Sequence, residues 1–279
     1  MIDRTGRRVV FDRVAAEYDA MRPGYPEDAI TFAVPVAPVD GGRLLEVGCG
    51  SGQATRSLLE RGYRITAIDI SPNLLTIARN HFGDRDNLTF LQTSFEEFSA
   101  DRTDAYDVIL APSSWHWIDP EIGFQRASDL LRSGGLLSIM AHITPSPRRG
   151  FDQVVQSVYS RVVPEWTIRP ETRTTSDVIR GFAVAMEGSG RFESVEAAEF
   201  LWTRTMERDE YLRLLGTYSD HRSLPDAQFR ELCTGIGELI DREYGGRIER
   251  EFATFVCRGV NRSASGVRTR DSHTTIDHT

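Results

Sequence analysis

The chain has 279 residues, of which 40% are hydrophobic and 27% charged, and its formal net charge at pH 7 is −8. This length is sufficient for one large domain, or for one domain with a sizeable insertion. The negative charge gives no overall attraction to nucleic acid, and the apolar runs are too short for a membrane span. The three scattered cysteines and the lack of a signal-peptide core at the N-terminus favour a cytoplasmic protein.

The first 40 residues are predicted to form a helical cap. Residues 10–32 have the spacing of one or two amphipathic helices, interrupted at Pro23-Gly24. We expect this cap to lie over a ligand-binding cleft in the domain that follows it.

Residues 41–145 alternate between short apolar runs and amphipathic segments. This alternation predicts an α/β core with a parallel sheet and right-handed crossovers. The predicted elements are strands at 43–47, 64–69, 88–92, 106–111 and 135–141, and helices at 53–61, 72–81 and 121–132. Gly134-Gly135 is expected to form the turn into the fifth strand.

A glycine-rich loop follows the first strand. Residues 44–52 read Leu-Leu-Glu-Val-Gly-Cys-Gly-Ser-Gly, with an acidic side chain, Glu46, at the strand end. Glycine permits a sharp turn and lets a ligand approach the backbone. The next helix directs the positive end of its dipole towards the same place. The loop therefore predicts a ligand-binding site.

The loop favours a ligand without phosphate groups. A dinucleotide-binding loop would read G-x-G-x-x-G, but the third glycine position holds Gln53. A P-loop needs a lysine, and all 33 basic residues of this chain are arginine. Glu46 would repel a nearby phosphate and suits a cationic ligand. S-adenosylmethionine (SAM) is such a ligand, because it carries an ammonium and a sulfonium group.

A second acidic strand end lies about 20 positions after the glycine loop. Residues 64–70 have the pattern of a buried strand with Asp69 at its end, where a carboxylate can accept hydrogen bonds from both ribose hydroxyls. Ser71 and Pro72 then have the pattern of an N-cap and a first helical residue. Leu74 supplies part of the apolar side of that helix.

Residues 146–260 are predicted to add a helical lid and two further strands. The predicted elements are helices at 150–163, 177–187, 208–217 and 225–243, a loop at 164–176, and strands at 192–204 and 249–259. The segments before these strands exceed the median loop length of about 4–6 residues, so we expect them to form the acceptor pocket. Residues 261–279 have almost no apolar content and are predicted to be a disordered tail.

Four motifs, in this order and spacing, resemble those of the class I SAM-dependent methyltransferases. They read LEVGCGSG at 45–52, AIDIS at 67–71, YDVILA at 106–111 and LLRSGGLL at 130–137. The resemblance implies a Rossmann-like, seven-stranded, mostly parallel sheet with helices on both faces and a helical lid. Residues 11–12, 18–26 and 114–119 resemble, more closely, the trans-aconitate-methyltransferase-like branch.

The resemblance also implies which residues contact the cofactor. The glycine loop would surround the methionine part of SAM, Asp69 would bind the ribose, and Ile70 would pack on the adenine. The cofactor-binding residues expected on this basis are Tyr18, Arg22, Glu46, Gly48, Cys49, Gly50, Gly52, Asp69, Ile70, Leu74, Ser94, Phe95, Ala111, Pro112 and Ser113. For Cys49 a second role is open, that of a nucleophile at a helix N-terminus.

Candidate catalytic and acceptor-binding residues lie after the fourth strand and in the lid. His116 is expected above the methyl position, and its ordinary pKa of about 6.5 suits a general base; the alternative is that it only packs. His221 and Tyr218 are the next candidates for this role, and His142 is expected to be structural. The acceptor-binding candidates are Trp115, Trp117, Arg169 and Arg222. No group of residues has metal-ligand spacing.

The sequence thus predicts a cytoplasmic methyltransferase, monomeric or homodimeric. It would transfer a methyl group from SAM to oxygen, nitrogen or carbon of a small molecule, such as a carboxylate or a secondary metabolite, and release S-adenosylhomocysteine (SAH). We expect no nucleic-acid, membrane or metal partner. Two alternatives stay open, a SAM-binding biosynthetic enzyme without methyl transfer and a nicotinamide-dependent oxidoreductase. Glu46 and Gln53 argue against the oxidoreductase.

Overall fold

The computed structural model describes residues 15–100, 105–145, 148–167 and 174–262. Its strands are β1 (Arg43–Val47), β2 (Arg64–Asp69), β3 (Leu88–Gln92), β4 (Tyr106–Pro112), β5 (Leu131–Ile143), β6 (Phe192–Glu207) and β7 (Arg247–Asn261).

The helices of the N-terminal half are α1 (Ala15–Met21), α2 (Glu27–Ala33), α3 (Thr55–Leu59), α4 (Pro72–Phe82) and α5 (Gly123–Leu130). A single 3₁₀ turn, Trp115–Trp117, follows β4. The helices after β5 are α6 (Gly150–Val154), α7 (Gln156–Val162), α8 (Pro164–Thr167), α9 (Thr175–Gly188), α10 (Arg208–Leu215), α11 (Ser219–Arg222) and α12 (Asp226–Tyr244).

The strands form one sheet in the order β3-β2-β1-β4-β5-β7-β6. The pairs from β3 to β5 are parallel, whereas β7 is antiparallel to both β5 and β6. This arrangement confirms the predicted seven-stranded, mostly parallel α/β fold. Because β1, β2 and β4 are parallel, their carboxyl ends lie at the same edge of the sheet, where open α/β sheets bind ligands.

The sheet is buried on both faces. Neighbouring residues point to opposite sides of a strand, and accordingly Ile109 belongs to one apolar cluster and Leu110 to the other. A third cluster joins the lid helices to one end of β7, with Phe151, Leu232 and Ile248 among its buried members. The lid therefore has an apolar core of its own beside the sheet.

The predicted and observed end residues of the secondary-structure elements agree where residues close in the sequence determine them. The strands at 43–47, 64–69 and 88–92 are confirmed, and Ser71 caps α4 by accepting a hydrogen bond from the Leu74 amide at 3.1 Å. The prediction of a turn at Gly134-Gly135 was wrong, because β5 runs through both glycines. Gly134 has φ +71°, and the pairing of β4 with β5 shifts register between Tyr106 and Val108. The glycines thus accommodate an irregularity within the strand.

Three further expectations differ from the structure. The predicted helix 150–163 is divided into α6 and α7, and the predicted loop 164–176 begins with the short helix α8. Asn261 was assigned to the tail but lies in β7, 4% exposed. Its amide donates to the Ser128 and Leu131 carbonyls at 3.0 and 3.1 Å. The predicted tail from residue 263 onward lies outside the described residues. No helix among the described residues has both the length and the apolar character needed to cross a membrane.

Candidate active site

A cavity of about 710 Å³ lies at the carboxyl ends of β1, β2 and β4; we call it the first cavity. Its floor includes Val47, Asp69 and Pro112, each at a strand end, and its volume lies in the range of pockets that hold small ligands. The cap contributes Tyr18 and Arg22, which close one side.

The glycine loop forms one wall of the first cavity through its backbone. Gly48 and Gly50 have φ values of +71° and +58°, a region that side chains with a Cβ rarely adopt. A Cβ on Gly48 would come within 2.5 Å of the Ser114 Cβ. The loop is fixed from behind, because the Gly48 amide donates to the Ile68 carbonyl at 2.8 Å. This wall cannot tolerate side chains at Gly48.

Asp69 connects the glycine loop to the next helix. One carboxylate oxygen accepts from the Gly50 amide and the other from the Ser71 amide, both at 2.9 Å. The side chain is thereby fixed in the cavity wall, next to Ile70 and Leu74. An oriented carboxylate at this position can bind hydroxyl groups of a ligand.

A second cavity, of about 270 Å³, adjoins the first. Five residues line both cavities: Arg22, His142, Ile143, Tyr218 and Asp220. Most of the remaining wall comes from α6 to α8, α10, α11 and β7, so that most of the second cavity belongs to the lid.

A buried ion pair forms one side of the second cavity. The Arg250 Nε lies 2.9 Å from a carboxylate oxygen of Asp152, and both residues are less than a tenth exposed. Arg250 also donates to the Tyr218 hydroxyl at 3.1 Å. Burial raises the pKa of Asp152, and the Arg250 charge opposes that shift. The pair therefore compensates two charges that would be costly to bury singly.

A chain of three polar side chains also lines the second cavity. The Tyr159 hydroxyl lies 2.8 Å from the His221 Nε2, and the His221 Nδ1 lies 2.9 Å from an Asp220 carboxylate oxygen. The carboxylate only accepts, so Nδ1 donates to it and Nε2 accepts from the tyrosine. Tyr159 and His221 are buried, whereas the Asp220 side chain is 60% exposed. The chain of hydrogen bonds thus leads from a buried tyrosine to an exposed carboxylate.

Comparisons with known proteins agree with this geometry. Residues 45–139 match a family model described as a methyltransferase domain. A protein of Mycobacterium tuberculosis, described as an uncharacterized methyltransferase, is 32% identical over 130 residues, which are 47% of this chain and 51% of that protein. The chain spans about half the length of the curated relatives it matches. Residues 45–139, about a third of the chain, are thus similar to a methyltransferase domain.

Solved structures of methyltransferases share the fold of this chain beyond residues 45–139. A protein of Anaeromyxobacter dehalogenans, assigned as a type II methyltransferase, superposes with a TM-score of 0.61 at 21% identity, over 86% of this chain and 97% of that one. Phosphoethanolamine N-methyltransferase 2 of Haemonchus contortus, in complex with SAH, gives 0.54 at 16% identity, over 94% of this chain and 60% of that one. These similarities show the fold of this chain and agree with the match of residues 45–139 to a methyltransferase domain.

Most of the expected cofactor-binding residues lie in the wall of the first cavity. They are Tyr18, Arg22, Gly48, Gly50, Asp69, Ile70, Leu74, Ser94, Phe95, Pro112 and Ser113. The structure places four others behind this wall: Glu46, Cys49, Gly52 and Ala111.

Glu46 differs most from its expected position. Its side chain is fully buried behind the loop and accepts a hydrogen bond from the Thr55 hydroxyl at 2.7 Å. Burial raises its pKa to about 8, so the carboxyl is mostly protonated at pH 7. Its Oε1 has no hydrogen-bond partner among the described residues. A cationic group close to Glu46 would favour its ionisation.

The other three residues have packing roles. A Cβ on Gly52 would come within 2.3 Å of the Phe82 ring, so this glycine is required by α4. Ala111 is buried within β4. Cys49 is 3% exposed, and burial raises the pKa of its thiol well above the ordinary value. This environment excludes the open alternative of a reactive thiolate.

Arg22 holds the cap against the lid. It donates to the hydroxyl and the carbonyl of Thr217 at 3.1 and 2.9 Å, and its guanidinium lies 4.5 Å from the centre of the Tyr218 ring. The sequence suggested a contact between Arg22 and a cofactor carboxylate. The structure shows a second role for this side chain, because its hydrogen bonds to Thr217 connect the cap to a part of the lid that is 195 positions away in the sequence.

Several catalytic and acceptor-binding expectations need correction. Trp115 is a core residue, 7% exposed and packed on Phe95 and Phe124, because the 3₁₀ turn directs it inward. Arg222 is exposed and lies in the wall of neither cavity. His116, Trp117 and Tyr218 do line the first cavity, and His221 lines the second. Arg169 lies outside the described residues.

His142 was expected to be structural, yet it lines both cavities. Its ring stacks on Tyr25 at 4.4 Å, and its Nδ1 lies 2.9 Å from the Thr254 hydroxyl. Burial lowers its pKa to about 4, so the ring is neutral at pH 7 and poorly suited to act as a base. Its position beyond the end of the predicted fifth strand was the signal for a site residue. Among the described residues no group of histidine, cysteine and acidic side chains could hold a metal ion.

Proposed function

We propose that this protein is a SAM-dependent methyltransferase that acts on a small-molecule acceptor. The observation that carries the proposal is Asp69, a carboxylate fixed by the Gly50 and Ser71 amides in the wall of a large cavity. That position beside a glycine loop is where a ligand with a ribose would be bound. The methyltransferase domain match at residues 45–139 supports the same assignment.

The cofactor would extend along the first cavity. Asp69 would bind the ribose hydroxyls, Ile70 and Phe95 would contact the adenine, and the backbone at Gly48 and Gly50 would face the methionine part. When bound, SAM supplies a methyl group that a nucleophile can attack in a single displacement. The residues of the chain bind and orient the two reactants and exclude water from them.

The acceptor would enter through the second cavity. This cavity adjoins the first through Arg22, His142 and Tyr218, so a molecule bound there can place its reacting atom towards the cofactor. Its volume of about 270 Å³ is well below the volume of about 710 Å³ of the first cavity, which suits a small molecule. In this proposal residues 1–40, 41–145 and 146–260 act as cap, cofactor-binding core and lid. The closer resemblance to the trans-aconitate-methyltransferase-like branch stays a prediction.

Calorimetric titration with SAH and with NADH tests the assignment. We expect saturable binding of SAH at one site per chain and no binding of NADH. Asp69→Asn, which keeps the shape of the side chain but removes its charge, should weaken SAH binding by about tenfold to a hundredfold, because charge-assisted hydrogen bonds contribute about 1.5–3 kcal/mol. Binding of NADH without SAH would instead support the oxidoreductase.

Product analysis then separates methyl transfer from other SAM chemistry. Incubation of the protein with methyl-labelled SAM and a library of small phenols, amines and carboxylic acids should yield SAH and a labelled acceptor in equal amounts. SAM consumption without label in any acceptor would favour a biosynthetic enzyme that does not methylate.

A further inference from the structure

We propose that the second cavity binds a small aromatic acceptor with an ionisable hydroxyl group, and that Tyr159, His221 and Asp220 relay the proton of that hydroxyl to solvent. The inference rests on the proposed function and names its acceptor class and its base. None of the three residues belongs to the methyltransferase domain match at residues 45–139.

The relay has the geometry needed for two successive proton transfers. Its hydrogen bonds are 2.8 and 2.9 Å long, within the range for efficient transfer. The Tyr159 hydroxyl donates to His221, so its oxygen can accept a proton from an acceptor in the cavity. The main-chain amide of His221 also donates to the same Asp220 oxygen at 2.8 Å, which holds that carboxylate in place.

Burial makes Tyr159 a carrier of the proton and not its final site. Burial raises the pKa of its phenol further above 10, so the hydroxyl stays protonated at neutral pH. The exposed carboxylate of Asp220 stabilises the imidazolium formed at His221 and connects it with solvent.

Aromatic side chains make up much of the wall of the second cavity. Trp166 lies 6.1 Å from Tyr159 with the two rings nearly parallel, and it meets His221 edge-on at 5.0 Å. Tyr211 and Phe252 also line the cavity. Such walls suit a planar ring, because aromatic pairs stack or meet edge-to-face at these distances. The volume admits about one ring with short substituents.

The charges around the second cavity favour an oxyanion. Arg22, Arg148 and Arg250 line it, against the two carboxylates of Asp152 and Asp220. A phenolate is stabilised by this surplus of one positive charge, whereas an ammonium acceptor is disfavoured. A carboxylic acid would already be ionised at pH 7 and would not need the relay.

The reaction step conserves atoms and electrons. The acceptor O–H proton passes to the Tyr159 oxygen as the proton of Tyr159 passes to the His221 Nε2. The acceptor oxygen forms the new bond to the methyl carbon, the methyl–sulfur bond breaks, and its electron pair stays on sulfur. His221 then releases its Nδ1 proton through Asp220 to solvent and is left neutral with its proton on Nε2. Exchange of protons between water and the two ring nitrogens restores the starting tautomer.

A chromophoric phenol tests the relay without turnover. We would titrate 4-nitrophenol into the wild-type protein saturated with SAH and follow the phenolate absorbance from acidic to alkaline pH. We expect the pKa of the bound phenol to lie at least one unit below that of the free phenol, a tenfold change in ionisation. His221→Gln and Tyr159→Phe should each reverse this shift while they still bind the probe.

Tyr244→Phe is the matched control for Tyr159→Phe. Tyr244 belongs to the same apolar cluster, but it lines neither cavity, and its ring contacts Phe151 at 5.5 Å. This variant should keep the wild-type shift. Calorimetry with SAH on every variant tests the cofactor site separately, so loss of the probe signal with intact SAH binding concerns the relay alone.

Three results would overturn the inference. They are no binding of 4-nitrophenol, a bound pKa that is the same in wild type and in both relay variants, and preferential binding of 4-nitrobenzoate. Failure of the wild-type protein to bind SAH would overturn the proposed function instead.

Discussion

The two cavities are built in different ways, although they share a wall. The wall of the first includes strand ends, the glycine loop with the positive φ angles of Gly48 and Gly50, and one carboxylate, Asp69, which is fixed by main-chain amides. The second is shaped by side chains of the lid helices and β7, held by hydrogen bonds and an ion pair between distant residues. A cofactor site can thus keep a common form while the acceptor site changes with its side chains.

This difference predicts where each site is vulnerable. The first cavity should fail when its backbone is disturbed, and the second when a buried charge or hydrogen bond loses its partner. The following predictions test that contrast, from the largest expected effect to the smallest.

Removal of the buried carboxylate charge should destabilise the lid. Asp152→Asn leaves Arg250 as a buried cation beside Tyr218, which should lower the free energy of unfolding by about 3–5 kcal/mol. Thermal unfolding measures this as a decrease of about 2–4 °C in Tm for each kcal/mol. Asp209→Asn is the control, because it breaks an exposed pair with Arg208 at 2.8 Å and should cost about 1 kcal/mol or less. Equal effects of the two substitutions would contradict a structural role for the buried pair.

A methyl group in the glycine loop should damage the first cavity specifically. Gly48→Ala places a Cβ 2.5 Å from that of Ser114, and the displaced loop should bind SAH at least about tenfold more weakly, a loss of about 1.4 kcal/mol. Gly41→Ala is matched to it, since Gly41 has φ +79° but open space around a Cβ. Both variants should lose about 1–2 kcal/mol of stability from the left-handed backbone, but only Gly48→Ala should lose affinity. Weakened binding in both would point to global strain.

Glu46 should make stability decrease as the pH rises. Its native pKa is about 8, against an ordinary value of 4.5, so between these pH values the native state keeps a proton that the unfolded state has released. The free energy of unfolding should therefore fall by up to about 1.4 kcal/mol per pH unit from about pH 5 to pH 8. Glu46→Gln should remove this component in denaturant titrations at several pH values. Parallel curves for wild type and variant would show that Glu46 has no raised pKa.

Substitutions at the N-caps of two helices allow the first cavity and the lid to be compared, with only a small expected loss of stability for each. Ser71→Ala removes the cap of α4, and Thr174→Ala removes the cap of α9, where the Thr174 hydroxyl accepts from the Asp177 amide at 3.2 Å. Each change should cost about 1 kcal/mol in the free energy of unfolding. SAH affinity should fall more for Ser71→Ala, because the main-chain amide of residue 71 donates to Asp69 and loss of the cap loosens the helix start that positions this amide. A larger loss of SAH affinity for Thr174→Ala would indicate that α9, whose Val178 and Phe182 line the first cavity, contributes more to the cofactor site than the cap of α4 does.

Short-range patterns explain how far the sequence predicted the fold. The first three strands were confirmed at their predicted bounds, and Asp69 lies in the cavity wall, since glycine, Ser71 and Pro72 act within a few residues. Glu46 shows the limit. Its position at a strand end was predicted correctly, but only the packing of the loop shows that it lies behind the wall and that burial raises its pKa to about 8.

The sequence by itself determined the parallel α/β sheet, the glycine loop and the acidic strand end that face one cavity. These features follow from apolar periodicity and from the conformational freedom of glycine, which depend on neighbours along the chain. Only the tertiary structure decided that Tyr159 reaches His221, that Asp152 pairs with Arg250, and that Arg22 joins cap and lid. These partners are separated by 62, 98 and 195 positions. Their contacts depend on how the lid packs against the sheet, which no local pattern of residues records.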